Sequence, residues 1–330
     1  MDMKNNNVDE VADEIFRIRV PLPGSPLKEI NTYFIRGKKR DLLIDTGFRN
    51  VICRNVLNQG LAYLHSDIKR RDVLITHCHS DHVSMADLFV GRQGHVYVNG
   101  TDLDYFKRIM TGEVMNTLSI RYVQEGFPSA MMNDIMENNF AIKFGMPIID
   151  DRYVKIQDND LLHVGNYTLK AILTPGHTPG NMIFYDENNE IMFCGDHVLF
   201  DISPNITPVL DVADPLGDYM NSLKKAEKFS VIKAFPGHRG IGPYKKRIKE
   251  LQQHHIVRLE EVIDIVKKNP GITAYDIAAK MSWQISEDNW DAFPLVQKYF
   301  AMCECIAHID YLVKVRLLNK ENKGVWCYEA

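Results

Sequence analysis

His77-Cys78-His79-Ser80-Asp81-His82 follows directly on the apolar run Val73-Leu74-Ile75-Thr76. Four metal-capable side chains in six residues rarely arise by accident. Successive side chains of a strand point to opposite faces, so His77 and His79 at a strand end can reach the same ion. Cys78 between them turns away and is expected to be a buried structural thiol. Asp81 and His82 fall where a helix should begin and can turn toward a second ion. A carboxylate there also suits the positive end of the helix dipole.

The same grammar recurs three times downstream. Leu169–Leu173 runs into Thr174-Pro175-Gly176-His177, Ile191–Cys194 into Gly195-Asp196, and Val231–Phe235 into Pro236-Gly237-His238. Each apolar run ends in a glycine turn that presents one His or Asp. Glycine permits a sharp turn, and loops at strand ends are where scaffolds place reactive groups. Taken singly, His177, Asp196 and His238 would be ordinary loop residues. In this order behind the first motif, all three are expected ligands.

HxHxDH, TPGH, GD and PGH in this order resemble the metallo-β-lactamase superfamily. The resemblance implies an α/β (α+β) fold, the αββα sandwich, over about residues 10–245. It implies that His77, His79 and His177 hold a first metal and that Asp81, His82 and His238 hold a second. Asp196 would bridge them. Asp45, in Ile44-Asp45-Thr46-Gly47, could simply cap a turn; by the resemblance it lies behind the ligands and supports a histidine. His197 is left open between touching substrate and packing. The winged-helix-like tail, together with Gly195-Asp196-His197 and Ile202-Ser203-Pro204-Asn205, resembles one branch in which a small C-terminal domain follows the lactamase-like one. That branch and its neighbours include glyoxalase-II-like thioesterases, lactonases and RNA-cleaving enzymes. The β-lactamases of the better-known classes carry a cysteine where Asp196 stands, and flavin-partnered diiron relatives carry a carboxylate in place of His79. Persulfide dioxygenases, with a single iron, are not removed by the motif.

The expected chemistry is hydrolysis of a small ester, thioester or lactone by a hydroxide bridging two metals, with Asp81 orienting it as the catalytic carboxylate. No nucleophile-elbow motif supplies a serine or cysteine alternative. Imidazole and carboxylate donors suit Zn²⁺, the expected ion, and also iron or manganese. The competing expectations are an endoribonuclease or other phosphodiesterase, with a basic track over Lys245, Lys246, Arg247 and Lys249, and a mononuclear iron oxidoreductase. A binding module with a purely structural metal site is the third.

Around these motifs lies a chain of 330 residues, 45% hydrophobic and 25% charged, the balance of a globular protein. A net charge of −4 gives no footprint for nucleic acid or an anionic membrane. The expected partner is therefore a small-molecule substrate, and whether copies of the chain associate stays open. Met1 to Phe16 lacks the apolar core of a signal peptide, and no run approaches a membrane span. Six sparse cysteines do not make a disulfide framework, so a cytoplasmic location is expected.

Residues 1–244 are expected to form the catalytic domain, and 245–330 a winged-helix-like one. Within the first, residues 101–147 form a Met-, Phe- and Tyr-rich helical insertion, with Met110, Met115, Met131, Met132, Met136 and Met146 as core filler or as a lid. In the second, Lys245–Lys268, Thr273–Met281 and Gln297–Val313 are expected helices, followed by a hairpin of Val315–Leu318 and Val325–Tyr328. Acidic residues and apolar positions on Gln297–Val313 favour a structural role, capping the catalytic domain or forming a dimer contact, over DNA reading. His65, His95, His163, His254, His255 and His308 lack any ligand pattern and are expected on the surface or in the core.

Overall fold

The computed structural model describes residues 6–137, 147–283 and 289–330. Two sheets form its centre. The first runs in chain order, β1 (Val8–Ala12), β2 (Ile15–Pro21), β3 (Glu29–Ile35), β4 (Asp41–Ile44), β5 (Arg71–Leu74), β6 (Val96–Asn99) and β7 (Tyr153–Ile156). Its pairings are antiparallel up to β4 and parallel from there on. The second contains β8 (Leu161–Val164), β9 (Tyr167–Leu173), β10 (Met182–Asp186), β11 (Ile191–Gly195) and β12 (Lys233–Pro236), in spatial order β12-β11-β10-β9-β8. All its pairs are antiparallel except β11 with β12. The ends of β9, β11 and β12 therefore lie on one edge.

Alternation along the strands assigns each side chain to a layer. In β4, Leu42 and Ile44 join Phe184, Phe193 and Phe235 between the sheets, while Leu43 faces outward. In β11, Ile191 and Phe193 face the inter-sheet core, and Met192 and Cys194 the opposite side. Helices cover both outer faces. The first sheet is covered by α1 (Val51–Tyr63), which Asn50 caps by accepting a hydrogen bond from the Cys53 amide. The short α2 (Ser80–Val83) and α3 (Ala86–Phe89) follow, then α4 (Gly100–Met110), whose Leu103 and Phe106 enter the same core. Two more insertion helices come next, α5 (Glu113–Gln124) and α6 (Ser129–Glu137). The second sheet is covered by α7 (Pro215–Ala226), with Leu216, Tyr219 and Leu223 buried, and by the start of α8 (Tyr244–Lys268). The order helix, sheet, sheet, helix is the αββα sandwich.

Helix α8 leaves this sandwich halfway along. Ile248 and Leu251 pack on the second sheet's helices, whereas Val262 and Val266 enter another core. That core is shared by α5, α6, α9 (Ala274–Lys280), α10 (Leu295–Lys314) and a small antiparallel sheet of β13 (Ile272–Thr273), β14 (Asn319–Asn322) and β15 (Trp326–Glu329). Met132 is buried there, and Met131 and Met136 pack against it, so these methionines are core filler. Met146 lies outside the described residues. Polar contacts reinforce the junction: Arg121 of α5 donates to Asp310 of α10 at 2.6 Å, and Lys320 Nζ to the buried Glu125 at 2.7 Å.

The hairpin departs from expectation. Its first strand is Asn319–Asn322, paired with Trp326–Glu329, and not Val315–Leu318. Helix α10 continues to Lys314 and is closed by Arg316 in the left-handed region (φ 62°), with the Leu317 amide donating to the Leu312 carbonyl at 2.9 Å. This helix-ending turn uses the backbone that a strand would need. Among the described residues no helix is long and apolar enough to cross a membrane, and all six cysteines are free and buried.

Candidate metal centre

Strand β5 ends at Leu74, and the chain crosses the sheet edge through Ile75 and Thr76 before presenting His77 and His79. His79 is the N-cap of α2, which puts Asp81 and His82 in its first turn. Strands β9, β11 and β12 deliver His177, Asp196 and His238 to the same edge. The turns are tight. A Cβ at Gly237 would lie 2.4 Å from Asp196 Oδ1, so only glycine lets the chain pass there.

The seven side chains converge. Three groups have ligand atoms within 4.8 Å of one another: His77, His79 and His177; Asp81, His82 and His238; and His77, His82 and Asp196. His77 Nε2 is 3.1 Å from His79 Nδ1, and the His177 ring centroid is 4.5 Å from that of His79. His238 Nε2 is 3.3 Å from both Asp81 Oδ2 and Asp196 Oδ2. Asp196 stands in the middle, with Oδ1 3.5 Å from His82 Nε2 and Oδ2 3.8 Å from His177 Nε2.

The far side of most rings is anchored. His177 Nδ1 donates to the Asn205 carbonyl (3.0 Å) and His238 Nδ1 to the Glu29 carbonyl (2.7 Å). A carbonyl can only accept, so these bonds place a proton on each Nδ1 and turn Nε2 inward, the atom that a metal ion would take. His82 Nδ1 donates to Asp45 Oδ2 at 2.8 Å. Asp45 sits at φ 59° and also accepts from the Thr76 amide (2.9 Å) and hydroxyl (2.8 Å). With its proton spent on Asp45, the Thr76 hydroxyl accepts from His77 Nδ1 at 3.0 Å. The inner atoms lack such partners. His82 Nε2, His177 Nε2, His238 Nε2 and Asp196 Oδ1 are buried without a hydrogen bond. Buried polar atoms are normally paired, so four orphans aimed at one place fit a set of metal donors.

Electrostatics separates the two halves. Burial drives His77 well below its usual pKa and His177 down to about 3, so both stay neutral, the ligating form. Burial also opposes charge on His82 and His238, but facing carboxylates overcome it. Asp45, Asp196 and Asp81 hold His82 well above its usual value, and Asp196 and Asp81 lift His238 to about 10. Burial acts to raise the two carboxylates in turn, yet the imidazolium charges hold Asp81 down to about 2 and Asp196 well below the carboxylate range.

His197 stands apart from the three groups. It is buried, its ring packs edge-on against Tyr219 at 5.3 Å, and burial depresses it to about 3. The Cys78 thiol turns into the core behind the first sheet. Two residues beside the site carry no ligand motif. Asn205 offers only its carbonyl, which no side-chain pattern reveals. Asp102 could be noticed only as an acidic residue in the first turn after Asn99-Gly100.

The sequence matches the profile of the metallo-beta-lactamase superfamily over residues 26–238. It is 27% identical over 273 residues to the beta-lactamase-like protein 2 homolog of Caenorhabditis elegans, covering 82% of this chain and 77% of that one. It is 23% identical over 324 residues to a probable metallo-hydrolase of Bacillus subtilis, covering 91% and 92%. Among solved structures, a metallo-beta-lactamase family protein from Thermus thermophilus superposes with a TM-score of 0.83 at 25% identity, covering 97% of this chain and 99% of its own.

Proposed function

The chain belongs to the metallo-beta-lactamase superfamily and is a metal-dependent hydrolase, and on that premise we propose that it cleaves a small ester, thioester or lactone at a centre for two metal ions. The observation that carries this reading is the Asp196 carboxylate, which has one oxygen beside His82 and the other beside His177 and His238. In it, His77, His79 and His177 would hold one ion, and Asp81, His82 and His238 the other. The nitrogen and carboxylate donors suit zinc, with iron or manganese as alternatives. Such ions, when bound, would supply Lewis acidity that lowers the pKa of the attacking water and polarises the substrate carbonyl.

The protein's own groups do the rest. Asp81, kept ionised, orients the attacking water by accepting its hydrogen bond. The water oxygen bonds to the acyl carbon, the bond to the leaving oxygen or sulfur breaks, and the water's proton goes to the leaving group. Asp45 and the Glu29 and Asn205 carbonyls keep three histidines aimed inward while this happens. An apolar acyl chain would find Tyr105 and Ile109, which follow Asp102 along α4, and Leu210, whose amide donates to Tyr105 Oη at 3.3 Å.

The phosphodiesterase alternative needs a track of free cations near the site, and two of the four at the start of α8 are engaged, while Lys245 and Lys249 are exposed. Arg247 donates to the Leu199 carbonyl at 2.6 Å and to the Ile202 carbonyl at 3.0 Å, and Glu250 lies 3.6 Å from Lys246. On the same footing we read residues 245–330 as a winged-helix unit that braces the catalytic layers. Its α10 buries Ala301, Met302, Cys303, Cys305, Ile306, Ala307, His308 and Ile309, so no face of that stretch is left for a DNA groove. A panel of thioesters, lactones and single-stranded RNA, assayed with the metal-loaded protein, tests the substrate class. Thioester or lactone turnover sustains the proposal, and cleavage of RNA alone overturns it.

A further inference from the structure

Asp102 is the third residue of α4 and has no solvent exposure. Its carboxylate accepts three hydrogen bonds from two distant loops. One comes from the amide of Cys78, the residue between His77 and His79, at 2.9 Å. The others come from the hydroxyl of Thr178, next to His177, at 2.7 Å, and from the amide of Gly180 at 2.5 Å. The fit is close on the Gly180 side. A Cβ there would lie 2.4 Å from Asn99 Oδ1 and 2.6 Å from the Asp102 amide, so only glycine lets the His177 loop come near enough to donate.

One turn further along α4, Tyr105 Oη accepts from the amide of Leu210. The segment leading to Leu210 contains Asn205, whose carbonyl anchors His177. Helix α4 thus fastens three segments around the three-histidine half of the site. The other half has its own fastening, since Asp45 holds His82 and the Thr46 hydroxyl donates to the His82 carbonyl at 2.7 Å.

We infer that Asp102 is the positioning residue of the three-histidine half: it sets the distance between the His77–His79 loop and the His177 loop, and so the affinity of that half for its ion. The inference rests on the two-metal reading above. A carboxylate suits the position because all three of its partners donate. An asparagine placed there offers one acceptor oxygen, and its NH₂ would face a backbone N–H whichever way the amide turned. At least one of the Cys78 and Gly180 amides would then be buried without an acceptor, and the loop it belongs to would shift.

The test is a cobalt(II) titration of the metal-free protein, followed by visible absorption, for the wild type, Asp102→Asn, Thr178→Val and His238→Ala. His238→Ala identifies the step that belongs to the other half. Asp102→Asn should weaken the remaining step by about 10–100-fold, the usual cost of losing a ligand's outer partner, and leave the His238-sensitive step within about threefold. Thr178→Val, which removes one of the three bonds, should weaken the same step by less. Thermal melting of the metal-free variants separates positioning from general destabilisation. Two unchanged steps in Asp102→Asn, or two steps that weaken in parallel with a lowered melting temperature, would overturn the inference. Wild-type stoichiometry judges the two-metal reading independently. If one cobalt binds, that reading fails, and the Asp102→Asn effect on the single step still decides the role of Asp102.

Discussion

Two groups of buried histidines sit in this molecule and behave in opposite ways. At the sheet edge, His82 and His238 are held cationic by Asp45, Asp81 and Asp196. Between α8 and α10, His255 Nδ1 lies 3.1 Å from His308 Nε2, and His308 Nδ1 donates to the Glu304 carbonyl at 2.7 Å. There burial drives His255 well below its usual pKa and lowers His308 too, with Arg258 and His254 adding to the effect on both; Glu304 acts the other way on His308. Both groups are buried, so burial alone does not distinguish them. Facing carboxylates do, and so does the direction of the unused nitrogens. The sheet-edge rings turn their free atoms toward one point, whereas the helical pair binds one ring to the other. A metal centre is a convergence of several orphaned donors with negative charge among them; the core pair leaves one orphan, His255 Nε2, which belongs to no such group among the described residues.

The sharpest way to break this comparison is one substitution in each group. Asp196→Ala should reduce kcat on the order of a thousand-fold, beyond the roughly 10–100-fold cost of an outer partner. His255→Phe should leave kcat within about threefold, because it touches no donor. Steady-state kinetics on the best substrate checks both, and equal losses would erase the distinction. A smaller effect is expected from Asp45→Asn, which takes the counter-charge from His82: metal affinity should fall by about 10–100-fold, measured by competition with a chromogenic chelator. Unchanged affinity would make Asp45 only a cap for the Thr76 turn.

Protons offer a third discrimination. Facing carboxylates raise the pKa of His82 and lift that of His238 to about 10 in the metal-free protein, so an incoming ion must displace protons held there. Loading the protein in weak buffer should therefore release protons, counted by pH-stat, and no release would contradict the cationic assignment. The smallest effect belongs to the helical pair. Their folded pKa values lie below the unfolded value of about 6.5, so the unfolded chain binds more protons and stability falls as pH drops below that value. Urea denaturation of the metal-free protein across this window should show a shallower acid loss in His255→Phe than in the wild type. An identical slope would remove the pair as a source of acid sensitivity.

The sandwich was legible because its signals are local. Apolar runs ending in glycine turns mark the strand ends, and HxHxDH packs four donors into six residues. Tertiary partners were not legible. Asp102 meets Cys78, Thr178 and Gly180 across 24, 76 and 78 residues, and its own neighbourhood says only that a helix begins. The core shared by α5, α6 and the C-terminal elements was equally hidden, because an amphipathic helix does not name the surface it will cover. Val315–Leu318 looks like a strand by composition. The buried helix before it runs on to Lys314, and its closing turn takes up those residues. Periodicity identified α8 well, yet could not tell that its two ends enter different cores.

On the proposed reading, seven side chains at one sheet edge hold two ions with Asp196 between them. The most direct measurement is the number of metal equivalents bound per chain, by elemental analysis after loading and desalting, for the wild type and Asp196→Ala. Two equivalents in the wild type, falling to one or fewer in Asp196→Ala, is the predicted result. A single equivalent that survives Asp196→Ala unchanged would contradict it.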